Sequence, residues 1–80
     1  MVEAEVRVEL KKGVADPEGK NVEKTLNLLG FEGIGSVSTV KVYHVSLAET
    51  NEQRARETLE SMCERLLANP VIHNYSVRIM

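Results

Sequence analysis

The stretch Ile34–Leu47, IGSVSTVKVYHVSL, constrains this chain more than any other. It is rich in Val with Ile, Thr and Tyr, side chains that are stiff at χ1 or broad and flat and that favour a pleated, partly buried surface. The composition predicts a strand over residues 34–47. Its alternation changes phase, however. Val37 points to one face, Val40 and Val42 to the other, and Val45 and Leu47 return to the first, which an unbroken period of two does not allow on one buried face. Either a bulge or tight turn breaks the segment near Ser38-Thr39 or Tyr43-His44, or both faces are covered at different points along one long strand. Length bears on the choice. Fourteen extended residues span roughly 45 Å, whereas a compact domain of 80 residues has a radius of gyration near 12 Å and a diameter of about 30 Å. An overhanging Val-rich edge is a surface that natural proteins cover with another chain. The sheet is therefore expected to be extended by dimerisation.

The rest of the chain reads as packing for this segment. From Val2 to Leu10 the alternation is unbroken, with Val2, Ala4, Val6, Val8 and Leu10 on one face and Glu3, Glu5, Arg7 and Glu9 on the other, a strand with one wet face ended by Lys12-Gly13. Asp16 is placed to cap a helix, Pro17 suits its first position and Glu18 suits its dipole. Gly19 in that first turn costs about 1 kcal/mol relative to Ala, which fits either a close backbone contact or simple tolerance near a helix end. Val22, Thr25, Leu26 and Leu29 recur at helical spacing as a stripe for burial. Gly30 supplies a left-handed cap and Phe31 the apolar residue that follows it. Gly30, Gly33 and Gly35 form G-x-x-G-x-G, but the cluster follows a helix and enters a strand, the reverse of a phosphate cradle. Thr50 and Gln53 match a capping box. Ala55, Leu59, Met62, Cys63, Leu66 and Leu67 then form an apolar stripe, and Glu52 and Arg56 an outward i,i+4 pair. Asn69-Pro70 stops this second helix. Residues 71–80 alternate as a last strand. The order is β-α-β-α-β, or β-α-β-β-α-β if the central segment is a hairpin. It is a single α+β domain over residues 1–80, with two helices on one face of a mainly antiparallel sheet, related to the ferredoxin-like arrangement.

Chemistry is sparse. A net charge of −2 gives no positive field for phosphates, so nucleic acid and anionic membranes are not expected partners. Phe31, Tyr43 and Tyr75 are its only aromatic side chains, too few for the stacking platform of an RNA-binding sheet, and no RNP1-like run is present. No apolar run reaches the ~20 residues that cross a bilayer, and MVEAEVRVEL alternates charge where a signal peptide has an apolar core. A cytoplasmic location is expected. The lone Cys63 falls on an apolar stripe, where a thiol behaves as a small hydrophobe, and its spacing from His44 and His73 matches no metal motif. The histidines are expected at half-buried strand positions. No catalytic, cofactor or metal site is expected on this chain, which favours an interaction or assembly role. A stand-alone ligand-sensing domain of the ferredoxin-like kind, binding an amino acid or nucleotide at a dimer interface, is the alternative.

Two stretches carry a family likeness: Val8–Val22, VELKKGVADPEGKNV, followed by Leu29-Gly30-Phe31, and Met62–Ile72, MCERLLANPVI, with Tyr75 after it. Together they resemble the PurS family over nearly the whole chain. The resemblance implies the non-catalytic small subunit of phosphoribosylformylglycinamidine synthase, acting in purine biosynthesis as a homodimer or higher oligomer. It would bridge a PurL-type synthetase subunit that uses ATP and magnesium and a PurQ-type glutaminase subunit that draws ammonia from glutamine. It further implies partner-facing roles for Asp16, Pro17, Gly19 and Lys20, for Lys41, and for Asn69 and Pro70. Asp16, Pro17 and Asn69 also have local explanations as helix punctuation; Lys20 has none. Where relatives tend to carry V-R-x-G-K, this chain has Val37-Ser38-Thr39-Val40-Lys41, which keeps the lysine and loses the arginine and glycine.

Overall fold

A computed structural model describes all residues, Met1–Met80. Strand β1 (Val2–Leu10) is followed by helix α1 (Pro17–Leu28), strand β2 (Val40–Leu47), helix α2 (Glu52–Met62), a π-helical turn (Cys63–Leu67) and strand β3 (His73–Ile79). The expected α+β domain with an antiparallel sheet and β-α-β-α-β order is what forms. The sheet order is β2-β1-β3, with β1 antiparallel to both neighbours.

This pairing decides where each helix goes. β1 and β2 are adjacent and antiparallel, so their connection has no sheet to cross and works as an enlarged hairpin loop. β2 and β3 both run against β1 and are therefore parallel to each other, so their connection must pass over β1. Helix α2 makes that crossing, a split βαβ unit, and its Ala55 and Leu59, with Cys63 of the π-helical turn that follows, are fully buried with Ala4, Val6 and Val8 of β1. Only α2 lies on the sheet. The expectation of two helices on one face holds for it and not for α1, whose hairpin-loop position does not require it to fold back. Of the stripe expected to be buried, Leu26 is half-buried while Val22, Thr25 and Leu29 are exposed.

Residues 11–39 accordingly form an arm. The radius of gyration is 16.2 Å and the extents are 50 × 24 × 15 Å, beyond the compact value of about 12 Å for this length. The central strand is shorter than expected, starting at Val40 rather than Ile34. Its pairing with β1 runs without a bulge from Glu9↔Val40 to Val2↔Leu47. The break therefore falls at Ser38-Thr39. Tyr43, Val45 and Leu47 share the helix-bearing face with Ala4, Val6 and Val8, whereas Val40 and Val42 sit on the open face with Glu5, Arg7 and Glu9. β3 is also shorter than residues 71–80, since the turn at Asn69 holds Ile72 and His73 to its own carbonyl oxygen and leaves Val71 outside the ladder.

Helix ends follow local chemistry with two changes. Gly30, at φ +94°, closes α1 with its amide on the Asn27 carbonyl (3.1 Å) and the Phe31 amide on the Leu26 carbonyl (3.1 Å), the paired bonds of a Schellman cap. The expected capping box moves by one residue. Asn51, not Thr50, caps α2 by accepting the Arg54 amide (3.1 Å), while the Glu49 carboxylate takes the Thr50 and Asn51 amides (3.0 Å each). The expected Glu52–Arg56 pair is replaced by the Arg56 guanidinium donating to the Val77 carbonyl (3.2 Å), which ties α2 to β3.

Candidate functional site

β1 ends beside the start of both neighbours, with Glu9 opposite Val40 and Leu10 opposite His73. The residues singled out from sequence gather at this end. Asp16, Pro17, Gly19 and Lys20 begin the arm, Lys41 is the second residue of β2, and Asn69 and Pro70 form the turn into β3.

They divide into two kinds. Asp16 and Gly19 face inward. Asp16 Oδ1 accepts the Gly19 amide (2.9 Å), Oδ2 accepts the Thr39 amide (2.8 Å), and the Thr39 hydroxyl lies 3.0 and 3.1 Å from the two oxygens. These donors, the Gly19 amide first and the Thr39 amide next, hold the Asp16 carboxyl below its ordinary range because they bond to its charged form. Gly19 is the one buried residue of α1. A Cβ there would sit 2.5 Å from the Val37 carbonyl oxygen, so a close backbone contact, not tolerance, explains the glycine. Thr39 and Val37 were not found by sequence reasoning; the faint signal was a hydroxyl residue just before the first paired residue of β2.

The others face outward or organise a turn. The Lys20 ammonium is 3.6 Å from Glu23 with its side chain 76% exposed, an ion pair worth little in water. Lys41 is exposed, across from Val8 on the helix-bearing side of β2. Asn69 is a local organiser. Its side chain accepts the Val71 amide (3.0 Å), its carbonyl accepts Ile72 and His73, and its own amide donates to Nδ1 of His73 (2.9 Å). Pro70 and Val71 stay exposed. A cleft of 540 Å³ at the arm's base is lined by Lys11 and Lys12 as well as Glu9 and Asp16, a mixed charge that selects no simple anion.

Elsewhere, His44 is exposed on the open face, where Glu5 lies 3.6 Å from its ring and 3.2 Å from Arg78. Burial, then Glu60 and Glu64, pushes the Cys63 thiol up, and burial and Glu64 do the same to the Tyr75 phenol. Both changes favour the protonated, unreactive form. Tyr43 and Tyr75 lie on the helix-bearing face, so neither tyrosine ring is presented on the open face. No group of three or more His, Cys, Asp or Glu side chains is placed to hold a metal ion, and no helix is long and apolar enough to cross a membrane.

Beyond this end, too, much of the chain is exposed. Only eight of 80 residues are buried, and large apolar side chains stand free along the arm and the turn. Leu29 is 69% exposed, Phe31 58% and Leu66 83%.

Comparison with known proteins agrees with this character. The family model PurS, phosphoribosylformylglycinamidine (FGAM) synthase, matches residues 3–80. The chain is similar to the phosphoribosylformylglycinamidine synthase subunit PurS of Archaeoglobus fulgidus, at 50% identity over 92% of each chain. Its structure resembles that of Methanocaldococcus jannaschii PurS, one of the subunits of formylglycinamide ribonucleotide amidotransferase in the purine biosynthetic pathway. The TM-score is 0.88 at 44% identity, covering 100% of this chain and 96% of that one. It also resembles a chain of the PurLQS structure from Thermotoga maritima, with a TM-score of 0.74 at 27% identity, covering 99% of this chain and 96% of that one. A match from Glu3 to the last residue, on a fold whose exposed surface asks for partners, makes this chain a member of the PurS family.

Proposed function

We propose that this chain is the small subunit of phosphoribosylformylglycinamidine synthase. It bridges a PurL-type synthetase subunit and a PurQ-type glutaminase subunit so that nitrogen from glutamine reaches formylglycinamide ribonucleotide. The observation that carries this reading is the family match over residues 3–80. The arm and the thin core support it, as surfaces that gain by being covered. The chemistry explains the need for a bridge. Ammonia set free in water near neutral pH takes a proton, and ammonium has no lone pair with which to attack an activated amide, so the two active sites must be held in a fixed relation. ATP, magnesium and glutamine belong in this scheme to the partner subunits, and the site of action is the cytoplasm.

Among the candidate residues, Lys20, Lys41, Pro70 and the turn set by Asn69 are assigned to partner contact, because their functional groups are exposed and their local bonds are weak or leave them free. A second copy of the chain covers the arm. The test is reconstitution of the synthetase and glutaminase subunits with and without this chain, with free ammonia as the alternative nitrogen source. Glutamine-dependent product formation should require the chain, whereas the ammonia reaction should need it less. If neither reaction responds to it, the bridging role is wrong.

A further inference from the structure

The arm leaves the sheet after Leu10 and returns at Val40, and since Glu9 and Val40 are cross-strand partners, its two feet stand side by side. Apart from the cap at its tip, every hydrogen bond joining the outgoing limb to the returning limb runs between Asp16 and Thr39. The carboxylate divides its two oxygens. Oδ1 serves the helix by taking the Gly19 amide, and Oδ2 serves the far limb by taking the Thr39 amide. Gly19 adds a third restraint, because a methyl group there would stand 2.5 Å from the Val37 carbonyl oxygen and 2.8 Å from Asp16 Oδ2. The first turn of α1 is thus laid backbone against backbone on the returning limb. Beyond this point neither limb has a bond to the sheet that could fix its direction.

We infer that Asp16, Gly19 and Thr39 are positioning residues, a latch that sets the direction of the arm relative to the sheet and so acts on assembly without itself touching a partner. The D-P-x-G-K stretch then splits into an inward latch, Asp16 and Gly19, and an outward contact, Lys20. The bonds of the latch lie within one copy of the chain; its consequence for assembly rests on the function proposed above.

Asp16→Asn separates latch from cap. Asparagine keeps an oxygen for the Gly19 amide but sets an NH2 group against the Thr39 amide, donor facing donor. Thr39→Val is the milder companion, losing the hydroxyl and keeping the amide. Residual dipolar couplings measured on the ¹⁵N-labelled full chain should fit one alignment tensor for α1 and the sheet in the natural protein. In Asp16→Asn the couplings of residues 17–28 should need their own tensor, reduced to about half or less by motion of the arm, while the helical chemical shifts of α1 persist. A single unchanged tensor would overturn the latch. So would loss of the helical shifts, because the carboxylate would then be a helix cap and nothing more. In the reconstituted complex, a latch that leaves the arm correctly aimed a fifth of the time should raise the half-saturating concentration of this chain by about fivefold. Its maximal glutamine-dependent rate should stay the same. An unchanged requirement despite a loosened arm would overturn the role in assembly. Failure of the natural chain to stimulate the glutamine reaction would instead remove the bridging function, and the couplings would still decide the latch.

Discussion

Gly19→Ala sets two known magnitudes against each other. Alanine in a helix is favoured over glycine by about 1 kcal/mol, so on propensity alone the change should stabilise α1. The Val37 carbonyl oxygen lies 2.5 Å from where the new methyl would sit, and backbone cannot swing aside as a flexible side chain can. We expect the clash to win and the variant to be less stable than the natural chain, measured as a lower urea midpoint. A gain in stability would mean that the returning limb yields freely. Asp16 and Glu49 make a second prediction at this scale, because amides hold both carboxyls below their ordinary range, Gly19 then Thr39 at Asp16 and Asn51 then Thr50 at Glu49. Unfolded, these groups titrate near about 3.9 and 4.3. Their contribution is therefore fully present above those values and is lost as pH falls through the lower folded values. Urea midpoints measured from neutral pH down to about pH 2 should drop over that window. Asp16→Asn and Glu49→Gln should each flatten the drop.

The secondary elements show how far patterning reaches. β1 formed over Val2–Leu10 as its unbroken alternation required, and the ends of α1 were legible in Asp16, Pro17 and Gly30, since caps depend on groups a few residues apart. At α2 the same logic chose the wrong neighbour. Thr50 with Gln53 fits the capping pattern, yet Asn51 does the capping because Glu49 already occupies the Thr50 and Asn51 amides. Asn51→Ala should cost about 1 kcal/mol of stability and Thr50→Ala distinctly less, compared by thermal or urea unfolding; equal costs would restore the capping box. The π-helical turn at Cys63–Leu67, closed by the Ala68 amide on the Cys63 carbonyl (2.9 Å), had no periodic signature. Its wider turn suits the run Ala55, Leu59, Cys63, because steps of four drift by about 40° each in an α-helix of 3.6 residues per turn. Widening the turn brings Leu67 and Ala68 back toward the sheet.

For the whole molecule, the arm is the largest departure from a compact chain of this size. Leu29 and Phe31 near its tip are exposed, and in the assembly proposed here a second copy covers them. Burying a Leu or Phe side chain contributes about 1.5–3 kcal/mol, and each 1.4 kcal/mol is tenfold in affinity. Leu29→Ser with Phe31→Ser should therefore weaken self-association by at least about tenfold in sedimentation equilibrium. It should also lessen the dependence of Tm on protein concentration that a dimer shows. Unchanged self-association would move the interface away from the arm tip.

Both helices and the outer strands were written in the sequence, because periodicity and capping act between residues close in the chain, while the choice between one central strand and a hairpin was left to the structure. The burial of Cys63 was written in the sequence too, foretold by its place on an apolar stripe. Which element covers which face was not. The phase change in the central segment left open a break or coverage of both faces, and only the pairing of β2 with β1 put the break before Val40, with Tyr43, Val45 and Leu47 under one face and Val40 and Val42 on the other. Likewise the stripe on α1 says that a surface is to be covered without saying by what. Hydrophobic patterning is a property of one segment, whereas the parallel or antiparallel sense of strands decides which connection must cross the sheet. That sense sent α2 over β1, left α1 in a hairpin loop, and turned Asp16 from the cap of one helix into the tie between two limbs.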